Sequence, residues 1–305
     1  MLAGTSLFPS LWQGSAASWS TLTSGSPLNG SVYGMDEGVQ VGDAGGRAAL
    51  WRGTPGSRVN LGPFNAQASI AYAVRGEMQV GVSILPGTSS QASLWRGTAE
   101  SFVNLHPALT VRSEATATDG TLQGGWVDTP QRHAYLWNGT AASARDLHPG
   151  GPYGTSEVHG MAPGIQVGGA FAIGGQRASV WHGTAASFED WNPPGASYSL
   201  MRATTGSIHV GRAGLPGAIG QSACAWLGSP SNIVNLHAIL PSNYGLSEAL
   251  AVWEGPGVVY VVGWGDDNLT ARKHAFMWVG VPTPASALPC LFAAILAPRR
   301  RRAAR

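Results

Sequence analysis

The sequence predicts an all-β chain folded as a β-propeller, and three observations carry that prediction. A fifteen-residue stretch recurs around a tryptophan, a glycine-ended landmark recurs between its copies, and one connection per repeat changes length while the others hold. "SLWRGTAESFVNLHP" at 93–107 is matched by "ALWRGTPGSRVNLGP" at 49–63 and "YLWNGTAASARDLHP" at 135–149. "SVWHGTAASFEDWNP" at 179–193 and "CAWLGSPSNIVNLHA" at 224–238 align with them without gaps. A looser copy, "SLWQGSAASWSTLTS", lies at 10–24, and a stub, "FMWVG", at 276–280. The landmark reads "GVQVG" to Gly42, "EMQVG" to Gly81, "TLQGG" to Gly125, "GIQVG" to Gly168, "SIHVG" to Gly211 and "YVVG" to Gly263.

Each repeat divides into four short strands. One ends at the tryptophan, as in "QASLW", and a Gly-Thr turn follows; the second is "FVNL", closed by His-Pro or its equivalent. A third alternates small and polar residues ("SIAYAV", "SEATAT"), and the fourth is the landmark strand, as in "MQVGV". Short Val-, Leu-, Trp- and Tyr-rich runs between Gly and Pro are strand signals, and their even spacing argues for an all-β repeat. No stretch of the repeats sustains a 3.6-residue apolar period, so helices are expected to be scarce.

The repeat tryptophans, Trp12, Trp51, Trp95, Trp137, Trp181, Trp226 and Trp278, are spaced by 39, 44, 42, 44, 45 and 52 residues. From each tryptophan to the next landmark position the distance is 28, 28, 28, 29 and 28 residues, then 35. From the landmark glycine to the next tryptophan it runs 9, 14, 12, 13, 15 and 15. Register is held where a strand face is buried, whereas surface loops accept insertions. Four antiparallel strands per unit, repeated about an axis, bring that variable connection to the same face each time, which is propeller geometry. About 25 strands are expected: two at the start, five full sets and three at the end. The count supports six blades of about 44 residues, with seven as the alternative if residues precede the first pair.

In-register tryptophans are expected between neighbouring sheets, where a large aromatic buries much surface. His106, His148 and His237 share one repeat position and read as turn chemistry before they read as metal ligands. Cys224 and Cys290 form no C-x-x-C pair, and Cys224, inside a repeat, reads as a small buried core residue.

Composition bounds the class. The 305 residues include 43 Gly, 20 Pro and 12 Trp, and charged residues make up 11 % against roughly 25 % in ordinary soluble domains. Apolar content of 44 % excludes disorder as the explanation. The net charge of +2 comes from the end of the chain: without Arg299, Arg300, Arg301, Arg302 and Arg305, thirteen bases face sixteen acids. A body with that balance offers no basic face, so nucleic acid is not an expected partner.

With "HAFMW" at 274–278, "HAYLW" at 133–137, "RDLHP" at 145–149 and "GIQVG" at 164–168, the repeat resembles the HAF family of bacterial extracellular repeats. That family is named for a His-Ala-Phe triplet before the tryptophan. Arg47, Gln91, Arg177 and Ser222 stand at the histidine position in the other copies. The resemblance spans about residues 7–280 and implies an exported, surface-displayed propeller-like protein without an established activity. WD-type repeats share the period, but no Gly-His and Trp-Asp pairs recur.

Residues 281–305 differ in kind from the repeat domain, 1–280. Pro282-Thr283-Pro284 is followed by an apolar, uncharged run from Ala285 to Pro298 and then by Arg299, Arg300, Arg301 and Arg302. Arginines after an apolar stretch follow positive-inside logic, although a spanning helix needs about 17–25 residues. The order of Pro-x-Pro, apolar run and arginines resembles a PEP-CTERM sorting signal, with threonine at the family's central glutamate. The resemblance implies membrane association and an exosortase-like sorting transpeptidase as partner. "MLAGTSLFPSLWQG" has no signal-peptide pattern, and the expectation is a true start upstream.

No nucleophile elbow, His-Glu-x-x-His helix, Walker loop or calcium loop appears, and no cofactor is expected. Candidate ligand-face residues follow the landmark glycine: the carboxylates Asp43, Asp128, Asp266 and Asp267 are placed on the variable connections, with Trp126, Trp264 and Arg212 just after the glycine. "GWGDDN" at 263–268 carries three oxygen donors but lacks the alternating spacing of a calcium site, so a polar turn is its first reading. Two functions follow: a non-catalytic scaffold binding extracellular polysaccharide or a surface protein, or an extracellular propeller enzyme, a polysaccharide hydrolase or lyase, with convergent carboxylates.

Overall fold

The computed structural model describes residues 8–23, 29–281 and 291–296. It contains 26 strands and five three-residue 3₁₀ turns. A first pair, β1 (Ser10–Leu11) and β2 (Ser20–Thr21), forms a small sheet of its own. Six four-stranded antiparallel sheets follow. Sheet 1 is β3–β6 (Gly30–Asp36, Val39–Ala44, Arg47–Trp51, Val59–Asn60), and sheet 2 is β7–β10 (Ala68–Arg75, Met78–Ile84, Ser90–Trp95, Val103–Asn104). Sheet 3 is β11–β14 (Ser113–Thr118, Gln123–Asp128, Arg132–Trp137, Arg145–Asp146). Sheet 4 is β15–β18 (Tyr153–Ala162, Ile165–Ala172, Gly175–Trp181, Glu189–Asp190), and sheet 5 is β19–β22 (Ser199–Thr204, Ile208–Ala213, Ser222–Leu227, Ile233–Asn235). Sheet 6 is β23–β26 (Tyr244–Gly255, Val258–Asp267, Arg272–Val281, Leu291–Leu296).

This is the all-β, six-bladed β-propeller that the repeat predicts. The chain divides after Asp146 into two compact units, the first holding sheets 1–3 and the second sheets 4–6. Within each unit the first strands of successive sheets pack on each other, and the second strand of one sheet packs on the first strand of the next.

The fifteen-residue repeat is legible as a set of bonds. Its tryptophan ends the third strand, directly across from the landmark residue: Gln40 faces Trp51, Gln79 faces Trp95, and Gln123 faces Trp137. The glutamine then clamps two turns. Gln79 Nε2 donates to the Glu77 carbonyl at 2.8 Å, and its Oε1 accepts the Gly97 amide at 2.7 Å. Gln40 bridges Gly38 and Gly53 in the same way. Past the tryptophan, Gly53 adopts φ 75°, a left-handed conformation that glycine enters without steric cost. The turn serine accepts the amide of the residue after the tryptophan, as Ser57 does from Arg52 and Ser101 from Arg96, each at 2.7 Å.

The landmark glycine answers a different need. Register shifts interrupt the first strand opposite it, for instance between Ala71 and Ala73 and between Val158 and Gly160. A β-bulge of this kind pushes one backbone toward its partner. A Cβ on Gly81 or Gly168 would collide with the carbonyl oxygen of Ile70 or Glu157.

Trp51, Trp95, Trp137, Trp181, Trp226 and Trp278 are all at most 1 % exposed. Trp95 packs in one cluster with Val41 of the preceding sheet, Trp226 with Val167, and Trp278 with Val210. Trp51 packs instead against Leu22, beside the first pair. That pair has the sequence and bonds of third and fourth strands: Gln13 N donates to Ser18 Oγ, and Leu22 N to the Pro9 carbonyl. Its own tryptophan, Trp12, is 51 % exposed, since no second strand lies beside β1 among the described residues.

The sixth sheet is completed within the tail. Sequence accounting gave three strands at the end, whereas β26 pairs with β25, Trp278 facing Ala294. An uncharged run with Leu, Phe and Ile is a strand former as well as a membrane segment, and periodicity does not separate the two. Pro282, Thr283, Pro284, Arg299, Arg300, Arg301, Arg302 and Cys290 lie outside the described residues. No helix among the described residues is long and apolar enough to cross a membrane.

Candidate functional site

Antiparallel order sends the variable connection between second and third strands to the same end of a sheet as the connection to the next sheet. The candidate residues sit near this end but not on the connections expected for the carboxylates: all seven lie on second strands, because the ladder runs past the landmark glycine before the chain turns. In the first unit, Asp43 lies on β4, and its Oδ1 accepts the Ser31 amide at 3.1 Å. Burial raises its carboxyl above the usual range, against amide bonds from Ser31 and Gly46 that lower it. Asp128 closes β12 and is held by two arginines: Arg112 Nη2 at 2.8 Å from Oδ2 and Arg132 Nε at 3.4 Å from Oδ1. Arg132 also covers Trp126, its guanidinium carbon 3.7 Å from the ring centroid. Trp126 is therefore buried under a cation and is not a bare stacking platform.

In the second unit, Trp264 carries Lys273 Nζ at 3.1 Å from its ring centroid, and Lys273 also pairs with Asp266 at 3.6 Å. Asp267 accepts from Asn243 Nδ2, Thr270 Oγ1 and the Leu269 amide, at 2.8, 2.7 and 2.9 Å. The bonds from Asn243 and Thr270, ahead of the one from Leu269, hold its carboxyl down at about 2. The polar turn expected for Gly-Trp-Gly-Asp-Asp-Asn is therefore displaced: Gly263 to Asp267 end strand β24, paired on both sides, and only Asn268 enters the turn that Asp267 braces.

Arg212 leads to residues that the sequence reading passed over. On β20, its Nη1 lies 3.5 Å from Glu248 Oε1 and 3.2 Å from Gln221 Oε1. Arg202 on β19 donates through Nε to the same Glu248 oxygen at 2.7 Å. Glu248, on β23, is buried, its side chain 5 % exposed. One register along the first strand of sheet 4, Glu157 Oε2 lies 3.1 Å from His159 Nε2. The signal was present: Ser-Glu recurs at Ser113-Glu114, Ser156-Glu157 and Ser247-Glu248. Each serine lies on a first strand, and each glutamate pairs with the residue just after the landmark glycine, one position ahead of the residue where the bulge begins. In the first unit Glu114 bonds the Tyr72 hydroxyl and raises its pKa together with burial, the larger cause. Tyr72 meets Tyr33 edge to face at 5.6 Å.

The shared histidines hold the connections between sheets. Nδ1 of His106 contacts Ser113 Oγ at 2.7 Å, His148 contacts Ser156 at 2.8 Å, and His237 contacts Ser247 at 2.8 Å. Burial lowers the pKa of His106 and His237. Cys224 is fully buried, and burial pushes its thiol up, so it is not a poised nucleophile. Among the described residues no group of three or more His, Cys, Asp or Glu could hold a metal ion.

No protein-family model and no curated protein matches the sequence. Solved structures do. A puromycin hydrolase S511A mutant complexed with PGG superposes with a TM-score of 0.55 at 11 % identity, over 89 % of this chain and 55 % of that one. A second puromycin hydrolase structure gives 0.53 at 12 %, over 94 % and 55 %. A structure from a study of two prolyl endopeptidases gives 0.52 at 11 %, over 86 % and 43 %. This chain spans about half the length of those proteins, and what it shares with them is the propeller fold.

Proposed function

We propose that the chain is an exported, envelope- or surface-associated binding scaffold without catalytic activity, its ligand an extracellular polysaccharide or a surface protein. The observation that carries this reading is the engagement of its carboxylates. Glycosidic hydrolysis uses one carboxyl able to give up a proton and a second able to attack or to activate water. Asp128 and Glu248 are each held by two guanidiniums. Asp43, though burial raises its carboxyl, is bonded to the Ser31 amide, and Asp267 is held by a turn. Carboxylates in this state brace a rigid end from which variable connections are presented.

Export rests on the resemblance of the repeats to HAF repeats and on the order of Pro282-Thr283-Pro284, apolar run and arginines. Those features make an exosortase-like transpeptidase and the membrane its partners in sorting. The three neighbours described above are hydrolases or endopeptidases by name, but the likeness to them is one of fold.

The test incubates the full-length protein with insoluble xylan and with polygalacturonate gel, and follows co-sedimentation and released reducing ends. Retention on a polymer without product is expected. Release of reducing ends or of unsaturated uronate would overturn the scaffold reading in favour of a hydrolase or lyase. Intact mass from fractionated native cells tests export: envelope-bound or external protein cut near Pro284 is expected. Cytosolic protein still carrying Arg305 would overturn it.

A further inference from the structure

We propose that Arg202 and Arg212, converging on one oxygen of Glu248, form a carboxylate-binding subsite at the loop end of sheet 5. The inference rests on the scaffold reading and names its ligand class. Two guanidiniums carry two positive charges against one buried carboxylate, so the cluster keeps one uncompensated positive charge. Both point at Oε1 of Glu248, at 2.7 and 3.5 Å. Arg202 engages through Nε and Arg212 through Nη1, which leaves the terminal Nη edge of Arg202 for an incoming group. Arg212 Nε is buried and has no acceptor among the described residues. That buried donor is closed to solvent, so the contacts open to a ligand are the terminal nitrogens of the two guanidiniums.

The surroundings suit such a ligand. The two arginine side chains are 29 % and 25 % exposed, so the guanidiniums reach solvent from a partly dry setting. They sit on strands rather than on loops, and Gln221 fixes Arg212 while itself donating to the Ser247 carbonyl at 3.2 Å. A guanidinium presents a rigid planar fork that matches the two oxygens of a carboxylate. Tyr198 lies close enough to feel both Arg212 and Glu248. Leu246, two residues before Glu248 on the same strand, and Ile219, two residues before Gln221, are exposed apolar side chains available to the carrier of the carboxylate. Acidic sugars, with an apolar ring face beside a carboxylate, fit this combination.

The experiment titrates the full-length protein with sodium glucuronate and with glucose at constant ionic strength, by calorimetry. Saturable glucuronate binding is expected, with glucose at least tenfold weaker and acetate competing. R212K keeps the charge and loses the fork, and should weaken glucuronate several-fold; R212Q should weaken it tenfold or more. E248Q removes the competing carboxylate and should tighten binding, which a purely structural ion cluster would not do. Circular dichroism verifies that each variant is folded. Equal affinity for glucuronate and glucose, no competition by acetate, or unchanged binding in folded R212K would each overturn the subsite. Xylan retention without glucuronate preference removes this subsite and leaves the scaffold standing. Product release with glucuronate preference intact does the reverse.

Discussion

His209 stands where four other repeats have glutamine, and it does the job differently. Its Nδ1 meets Thr204 Oγ1 at 2.7 Å, and its ring packs edge to face on Trp191 at 4.9 Å. Burial, with a lesser contribution from His182, lowers its pKa from 6.5 to about 4. The folded protein therefore keeps this imidazole neutral while the unfolded chain protonates below 6.5. Stability should fall as pH drops through that window, by about 1.4 kcal/mol per pH unit until the folded group also titrates. H209Q should abolish most of that slope, as read by urea unfolding at pH 7, 5.5 and 4.5; an unchanged slope would assign the acid sensitivity elsewhere. Glycine positions separate as sharply. G81A forces a Cβ onto the Ile70 carbonyl and should cost more than about 3 kcal/mol, whereas G56A, with nothing within 4 Å, should stay within about 0.5 kcal/mol.

At the scale of the element, the clamp between landmark and turn matters more than strand propensity. Third strands of five to ten residues and fourth strands of two or three, Leu291–Leu296 apart, hold little on their own. Q79A removes the acceptor of the Gly97 amide and the donor to Glu77, and should cost about 1–3 kcal/mol, in the same chemical-denaturation assay. This logic was readable in advance from the repeat: six blades, tryptophan burial, the turn role of the histidines and the buried Cys224 all follow from the repeat pattern. Glu248 and Arg202 were not read, for a definite reason. Arg202 is itself the bulged residue between Met201 and Ala203, where the two-residue alternation breaks, and Glu248 meets it from the next sheet, a pairing that spacing within one repeat does not report. Leu291–Leu296 forms β26 within a run that also resembles a membrane segment, because composition alone does not distinguish a six-residue strand from part of such a segment.

For the whole molecule, twelve tryptophans divide by environment. Six lie at 0–1 % exposure, while Trp12, Trp19 and Trp253 stand at 51, 50 and 54 %. Iodide should therefore quench a minor share of the emission, and replacing those three with Phe should remove most of the quenchable part. Quenching that persists in the triple variant would mean that the repeat tryptophans are reached by solvent. The bonds between successive sheets also have a direction. Ala48 N donates to Ser69 Oγ, Ala92 N to Ser113 and Ala178 N to Ser199, each acceptor lying 21 residues later in the chain. As the chain leaves the ribosome, each third strand thus emerges with an amide whose acceptor has not yet been made. Each of these sheets waits for the opening strand of its successor, and a chain stalled between the two ends on a blade whose third-strand amide has no acceptor.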